Sequence, residues 1–240
     1  MIRRCTIFGE RCSGTNYLDR VIRMNFDVDI HYDYGWKHFF QEKGTSWENS
    51  DDTLFICIVR NPVDWINSFY RNPHHVEHMC EWDRSKRSID AFLSNEFYSI
   101  LDDGTEHMRD RNIYTGERYK NVFELRHTKL RWMIEDLPKL VTNYIFIRHE
   151  DLLDEFESTM DRIRKTGLQV RTDNDFPQNF LLEAKGGEGA GRFRKKENTI
   201  SSDAILGHPN LIPHYEEKLY GISPAAIAAA RETVLASKEV

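Results

Sequence analysis

Three groups of residues in this 240-residue sequence have the types and spacing of chemistry. The first lies in "IFGERCSGTNYLDRVI", residues 7–22. A short apolar segment, Thr6-Ile7-Phe8, runs into Gly9, four further residues and Gly14, and then Tyr17, Leu18, Val21 and Ile22 follow at helical spacing. Strand, glycine-bounded turn and helix outline a loop that holds an anion on backbone amides at a helix N-terminus. A triphosphate-binding loop would close on Gly-Lys-Ser or Gly-Lys-Thr; this one closes on Gly14-Thr15-Asn16, without the lysine that reaches the β- and γ-phosphates. The second group is Arg60, at the end of the apolar run 53–59, and Ser68, eight residues later. A phosphate-loop enzyme would carry a magnesium-binding Asp at that strand end. An arginine there repels a metal and attracts a second anion. With a helix starting at Pro62, Ser68 stands roughly two turns along it. Arginine as a fork and serine as a hydroxyl donor could then converge on one phosphate. The third group is "YGWKHFF", residues 34–40, where His38 is the candidate general base and Lys37 a cation beside it. Glu10, in the loop itself, is the alternative base.

The elements that must position these groups follow from periodicity. "TLFICIV" (53–59) is a continuous apolar, β-branched run, as in a strand buried on both faces of a parallel sheet. "FDVDIHYD" (26–33) predicts a short second strand, and "NYIFI" (143–147) another buried one. Helices are predicted from Pro62 through Val63, Ile66, Phe69 and Tyr70, and over 88–95. Residues 124–137 predict another, ended by Pro138, and "EDLLDEFESTMDRIRKTG" (150–167) an amphipathic one closed by Gly167. An Ala-rich helix over 223–238 closes the chain, startable by Pro224. Residues 102–121 are polar and read as an exposed excursion. "KGGEGAGRFRKKEN" (185–198) reads as a mobile loop, glycine-rich and then basic. No repeat or long linker divides the sequence, so a single domain over 1–240 is expected: α/β, with a mostly parallel central sheet flanked by helices. In such sheets ligands sit beyond the carboxyl ends of the strands, where the loop and Arg60 both fall.

Composition excludes several classes. A net charge of −6 and a pI near 5.9 argue against a general nucleic-acid binder. No apolar run approaches the ~20 residues of a membrane helix, and Met1-Ile2-Arg3-Arg4 enters a strand too soon to resemble a signal peptide. Cys5, Cys12, Cys57 and Cys80 lack paired spacing, so a cytoplasmic, reducing location is expected, with Cys5 and Cys57 as small core residues.

The pair "CSGTNYL" and "RNPVDWINSFY" resembles the PAPS-dependent sulfotransferases, where PAPS is 3′-phosphoadenosine 5′-phosphosulfate. In that family a Ser-Gly-Thr loop cradles the 5′-phosphosulfate, which Ser13, Gly14, Thr15 and Asn16 match. An Arg and a Ser eight positions on bind the 3′-phosphate, which Arg60 and Ser68 match at the full spacing. "YIFIRHEDLLDEFESTMDRI" (144–163) also resembles the family's passage from strand to helix. The resemblance implies a phosphate-loop-like α/β fold and accounts for the missing lysine, since a sulfuryl group carries less charge than a terminal phosphate and transfers without a metal. It implies PAPS as donor and PAP, 3′-phosphoadenosine 5′-phosphate, as product. The acceptor would be a hydroxyl or amine of a carbohydrate or small molecule. Many members place Lys or Arg directly before Ser-Gly-Thr; here Cys12 stands there with Arg11 one place earlier, so Arg11 and Lys37 are the cations offered to the sulfuryl oxygens and the leaving phosphate. "KGGEGAG" (185–191) loosely resembles the family's late cofactor loop, and Arg192 and Arg194 in "RFRKK" could serve the same end. The competing readings are a kinase or triphosphatase on a related loop, or a non-catalytic PAPS- or PAP-binding protein.

Two stretches stand outside this scheme. His74, His75, His78 and Cys80 include one pair at helical spacing for zinc, but no second ligand pair stands elsewhere, so the stretch is read without metal, as acceptor-cleft lining or surface. Arg126 and Lys129 read as a solvated helix face within reach of acceptor or cofactor.

Overall fold

The protein is described here by a computed structural model covering residues 2–40, 45–76, 88–173, 175–183 and 196–236. In chain order it runs through β1 (Arg4–Phe8), α1 (Thr15–Asn25), β2 (Asp29–Ile30), β3 (Gly35–Trp36), β4 (Phe39–Phe40), β5 (Thr53–Val59), α2 (Pro62–Arg71) and α3 (Ile89–Ser94). Then follow α4 (Val122–Arg131), a π-helical turn (Trp132–Asp136), α5 (Leu137–Leu140), β6 (Tyr144–Arg148), α6 (His149–Asp154) and α7 (Phe156–Arg164). The last elements are α8 (Phe180–Glu183), α9 (Ser202–Leu206), α10 (His214–Tyr220) and α11 (Pro224–Ala236). Two compact units share them: Met1–Arg60 with Met133–Glu197, and Asn61–Trp132 with Asn198–Val240.

The first unit is α/β, built on a parallel sheet of order β2-β1-β5-β6. Alternation along the strands decides its two faces. Cys5 and Ile7 of β1 and Leu54, Ile56 and Ile58 of β5 point to one side, where Tyr17, Leu18, Val21 and Ile22 of α1, Leu152 of α6, and Met160 and Ile163 of α7 close a core. Burying each isoleucine there contributes about 1.5–3 kcal/mol. On the other side Phe8 stacks on Phe55 at 6.3 Å and meets Phe40 edge-on at 5.4 Å, with Tyr34 and Trp47 also against Phe55. Both faces of β5 are therefore covered, and all seven of its residues are buried, as the unbroken apolar run predicts. Burial pushes the thiols of Cys5 and Cys57 far above their ordinary pKa, in keeping with inert core residues.

Several expectations need correction. The strand expected over 26–33 is cut to Asp29–Ile30, while Phe26 forms a separate antiparallel bridge with Val170. β6 is not a buried strand: it is the last strand of the sheet, and only Ile147 is buried. Pro138 does not end the helix begun in α4. The chain passes through the π-helical turn, and α5 restarts with Pro138 in its first turn, where a missing N–H costs nothing. The helix expected over 150–167 is two, because Glu155 leaves helical geometry (φ −124°, ψ 45°) between α6 and α7. Gly167 does turn left-handed after α7 (φ +103°).

The second unit is helical. Asn61 caps α2 by accepting from the Asp64 N–H at 2.8 Å, with Pro62 in the first turn, so the helix starts where proline predicts. Phe69 packs on Trp65, Phe92 and Phe97. Residues 102–121 are not an exposed excursion throughout: bridges Phe97–Tyr119 and Ile100–Glu106 fold them back, and Tyr119, Asp110 and Asn112 are buried. Arg126 and Lys129 are not a solvated face either. Arg126 is buried and gives Glu216 two hydrogen bonds, 2.6 and 2.9 Å, and Lys129 is buried 3.2 Å from Asp110. Among the described residues no helix is long and apolar enough to cross a membrane.

Candidate active site

Because the strands are parallel, the carboxyl ends of β1, β5 and β6 lie along one edge, and they deliver the loop 9–14, Arg60 and His149 respectively. Two glycines shape the loop for distinct reasons. A Cβ on Gly9 would stand 2.6 Å from the Ile58 carbonyl oxygen and 2.7 Å from Ser13 Oγ, so a strand presses directly on the turn. Gly14 adopts φ +101°, and a Cβ there would stand 2.4 Å from Cδ2 of His149. Gly14 also precedes α1 as its cap without any side-chain bond, and the helix has no acidic residue in its first turn. The N-terminus of α1 therefore meets the turn with no acidic residue in its own first turn, an arrangement fitted to an anion.

Inside the turn the polar groups hold one another. Glu10 and Arg11 are buried, and Glu10 Oε1 accepts from the Arg11 backbone N–H at 2.7 Å and from Arg11 Nε at 2.9 Å. The Arg11 guanidinium also lies 5.7 Å from the centre of the Phe39 ring. Ser13 donates both its N–H and its hydroxyl to the Glu10 carbonyl, at 3.1 and 2.6 Å, which closes the turn. Cys12 takes a left-handed φ of 63°, and its carbonyl accepts from Arg60 Nη1 at 3.5 Å. Arg60 is thereby tied to the loop from the neighbouring strand end.

β3 and β4 pair antiparallel, Gly35 opposite Phe40 and Trp36 opposite Phe39, so Lys37 and His38 form a two-residue hairpin tip. The tip grips Gly9 from both sides: the Gly9 N–H donates to the Lys37 carbonyl at 2.9 Å, and His38 Nδ1 lies 2.7 Å from the Gly9 carbonyl. A carbonyl only accepts, so Nδ1 carries the hydrogen, and the lone pair of the neutral ring lies on Nε2. Lys37 Nζ donates to Asn16 Oδ1 at 2.5 Å. The structure thus brings Glu10, Arg11, Cys12, Ser13, Gly14, Thr15, Asn16, Lys37, His38 and Arg60 together within the first unit. Ser68 stands on α2, in the second unit. Arg192 and Arg194 lie outside the described residues, as do His78 and Cys80 and the rest of 185–195. Among the described residues no group of three or more His, Cys, Asp or Glu could hold a metal ion.

His149 is the site residue that sequence reasoning missed. It is buried at the start of α6 and lies against Gly14. Its signal was positional: it directly follows β6, at the same strand edge as Arg60.

No family model and no curated protein matches the sequence. Among solved structures, the chain is similar to mouse sulfotransferase SULT7A1 complexed with PAP. The TM-score is 0.44 at 13% identity, over 96% of this chain and 82% of that one.

Proposed function

We propose that the protein is a PAPS-dependent sulfotransferase. The observation that carries the reading is the juxtaposition at the edge of the sheet: a glycine-bounded turn at a helix N-terminus, the paired tip residues Lys37 and His38, and Arg60 tied to the same turn. What supports PAPS over a nucleoside triphosphate is chemical. The lysine of a triphosphate loop is missing, and a cation stands where a magnesium-binding carboxylate would be.

The residues fit the donor. PAPS, when bound, supplies the sulfuryl group. Residues 11–16 would hold its 5′ end on loop and helix amides, and Arg60 with Ser68 would hold its 3′-phosphate, the latter resting on their spacing of eight residues. His38 takes the acceptor's proton on Nε2 while Gly9 fixes the ring through Nδ1. Glu10 is the poorer base, since it is buried and its Oε1 already takes two bonds from Arg11. Lys37 and Arg11 offset negative charge on the sulfuryl oxygens and the leaving phosphate. The acceptor is a hydroxyl or amine of a carbohydrate or small molecule.

A thermal-shift panel tests the reading without knowing the acceptor. PAP should raise the melting temperature with no divalent metal, and by clearly more than AMP. Equal shifts from the two nucleotides, or stabilisation only by ATP with magnesium, would discard the assignment. PAP binding with no sulfate release from PAPS across an acceptor screen would instead make the protein a nucleotide binder.

A further inference from the structure

The hairpin that carries the candidate base also carries an exposed indole. Tyr34, Phe39 and Phe40 are buried, but Trp36, opposite Phe39 in the strand pair, is 43% exposed. Among the described residues of the first unit it is the one exposed aromatic side chain. Two neighbours fix its place. Tyr32 lies against it, ring centres 4.8 Å apart and planes at 52°, and Lys37 Nζ lies 5.2 Å from its centre. The same Nζ is 2.5 Å from Asn16 Oδ1, so the indole stands beside the first turn of α1, next to the glycine-bounded loop. His38, two residues on, is held to Gly9 at the other end of that loop. Two residues of chain span at most ~7 Å, so an acceptor that meets His38 comes within reach of Trp36.

We infer that Trp36 is the platform of the acceptor site and that the acceptor is a saccharide, stacked on the indole through the C–H face of a pyranose ring. This rests on the proposed function and names the substrate class within it. The openness of the surface decides between acceptors. A small phenol is held by enclosure, with roughly 70–90% of its surface buried. A ring open to water offers one flat face instead. The C–H groups of a pyranose carry slight positive charge and meet the negative face of the indole, while the hydroxyls at the rim keep their water. An indole turns about only two side-chain torsions, so little freedom is lost when a sugar settles on it. The step is that of the proposed function: a sugar oxygen gains the sulfuryl group, its proton passes to His38, and PAP leaves with the electron pair of the broken sulfur–oxygen bond.

Transfer from radiolabelled PAPS to maltose, cellobiose, lactose and N,N′-diacetylchitobiose tests this, with p-nitrophenol as the aromatic rival. At least one disaccharide should be sulfated with a higher kcat/KM than p-nitrophenol. Trp36→Ala should raise KM for that disaccharide roughly tenfold and change kcat less, while PAP binding holds. Trp36→Phe should recover part of the loss. Transfer to none of the disaccharides, a higher kcat/KM for p-nitrophenol, or an unchanged KM in Trp36→Ala overturns the inference while leaving the nucleotide reading in place. Weaker binding of both PAP and AMP to Trp36→Ala overturns it too, by making the indole a seat for the nucleobase. A wild type that binds no PAP overturns the proposed function along with it. Where Trp36→Ala lowers the melting temperature, Trp36→Gln is read by the same criteria.

Discussion

Arg126 and Lys129 in the second unit are each buried against a carboxylate, Glu216 and Asp110. At the strand edge of the first unit, Lys37 gives a hydrogen bond to an amide oxygen and Arg60 gives one to a carbonyl. On the proposed function, the difference is one of purpose. A cation taken out of water must be neutralised and hydrogen-bonded or it destabilises the fold by several kcal/mol, so the charges in the helical unit belong to folding. On the proposed function, Lys37 and Arg60 act through their positive charge on the bound nucleotide. Arg11 stands between the two cases, buried and paired with its neighbour Glu10 inside the loop itself.

The largest expected effect breaks the first kind of pair. Glu216→Ala leaves Arg126 buried without its carboxylate and should cost about 3–5 kcal/mol in urea unfolding, while replacing both residues with apolar ones of similar size should cost far less. Nucleotide affinity of the folded protein should hold in both variants. A loss under 1 kcal/mol would move this pair into the ligand-serving class.

Next comes His38→Ala, which should leave PAP binding intact and cut turnover by roughly 10²–10⁴. A base must be neutral to work, so the wild-type rate should fall toward acid pH, and this limb should vanish in the variant. Sulfate release from PAPS into water serves as the assay in place of an acceptor. Unchanged turnover would hand the base to Glu10. Lost PAP binding would make His38 a structural clamp.

Arg60→Ala should weaken PAP by about 2–4 kcal/mol and AMP hardly at all, with little change in unfolding free energy. That pattern would sharpen the contrast with Glu216→Ala, since the same type of side chain would act on the ligand at one place and on the fold at the other. Equal losses for PAP and AMP would put Arg60 in the service of the loop's shape.

The smallest effect concerns an exposed pair. Arg4 hydrogen-bonds Asp52 and holds its carboxyl below the ordinary carboxylate range. A depressed folded pKa adds stability above the unfolded value, lost as pH falls through the folded one. Solvent screening limits it to about 1 kcal/mol at most, so Asp52→Asn should flatten the acid limb of the stability profile slightly, and less so in high salt.

Local signals carried the first unit well. The run 53–59 fitted a strand covered on both faces and glycines 9 and 14 marked a turn of special geometry, while in the second unit Pro62 marked a helix start. The charges of the second unit were illegible for a physical reason. Glu216 is 90 residues from Arg126 and Asp110 is 19 from Lys129, so no local spacing distinguishes a buried ion pair from a solvated face. The break at Glu155 was hidden because apolar residues keep helical spacing across it. His149 was missed because a lone histidine after a strand has no signature until the strand order places it beside Gly14. Lys37 and His38 were visible as chemistry, but not as the tip of a hairpin bound to the loop.

That binding bears on how portable the loop is. Gly9 has both of its backbone hydrogen-bonding groups committed to residues 37 and 38, so the turn is completed by a segment more than twenty residues downstream. A graft of residues 9–16 onto another parallel sheet would carry the glycines but leave the Gly9 peptide without its partners. The smallest transplantable piece is therefore discontinuous, residues 9–16 together with 34–40. An insertion or deletion anywhere between them has to preserve the reach of the hairpin tip, whatever it does to the helix and strand on the way.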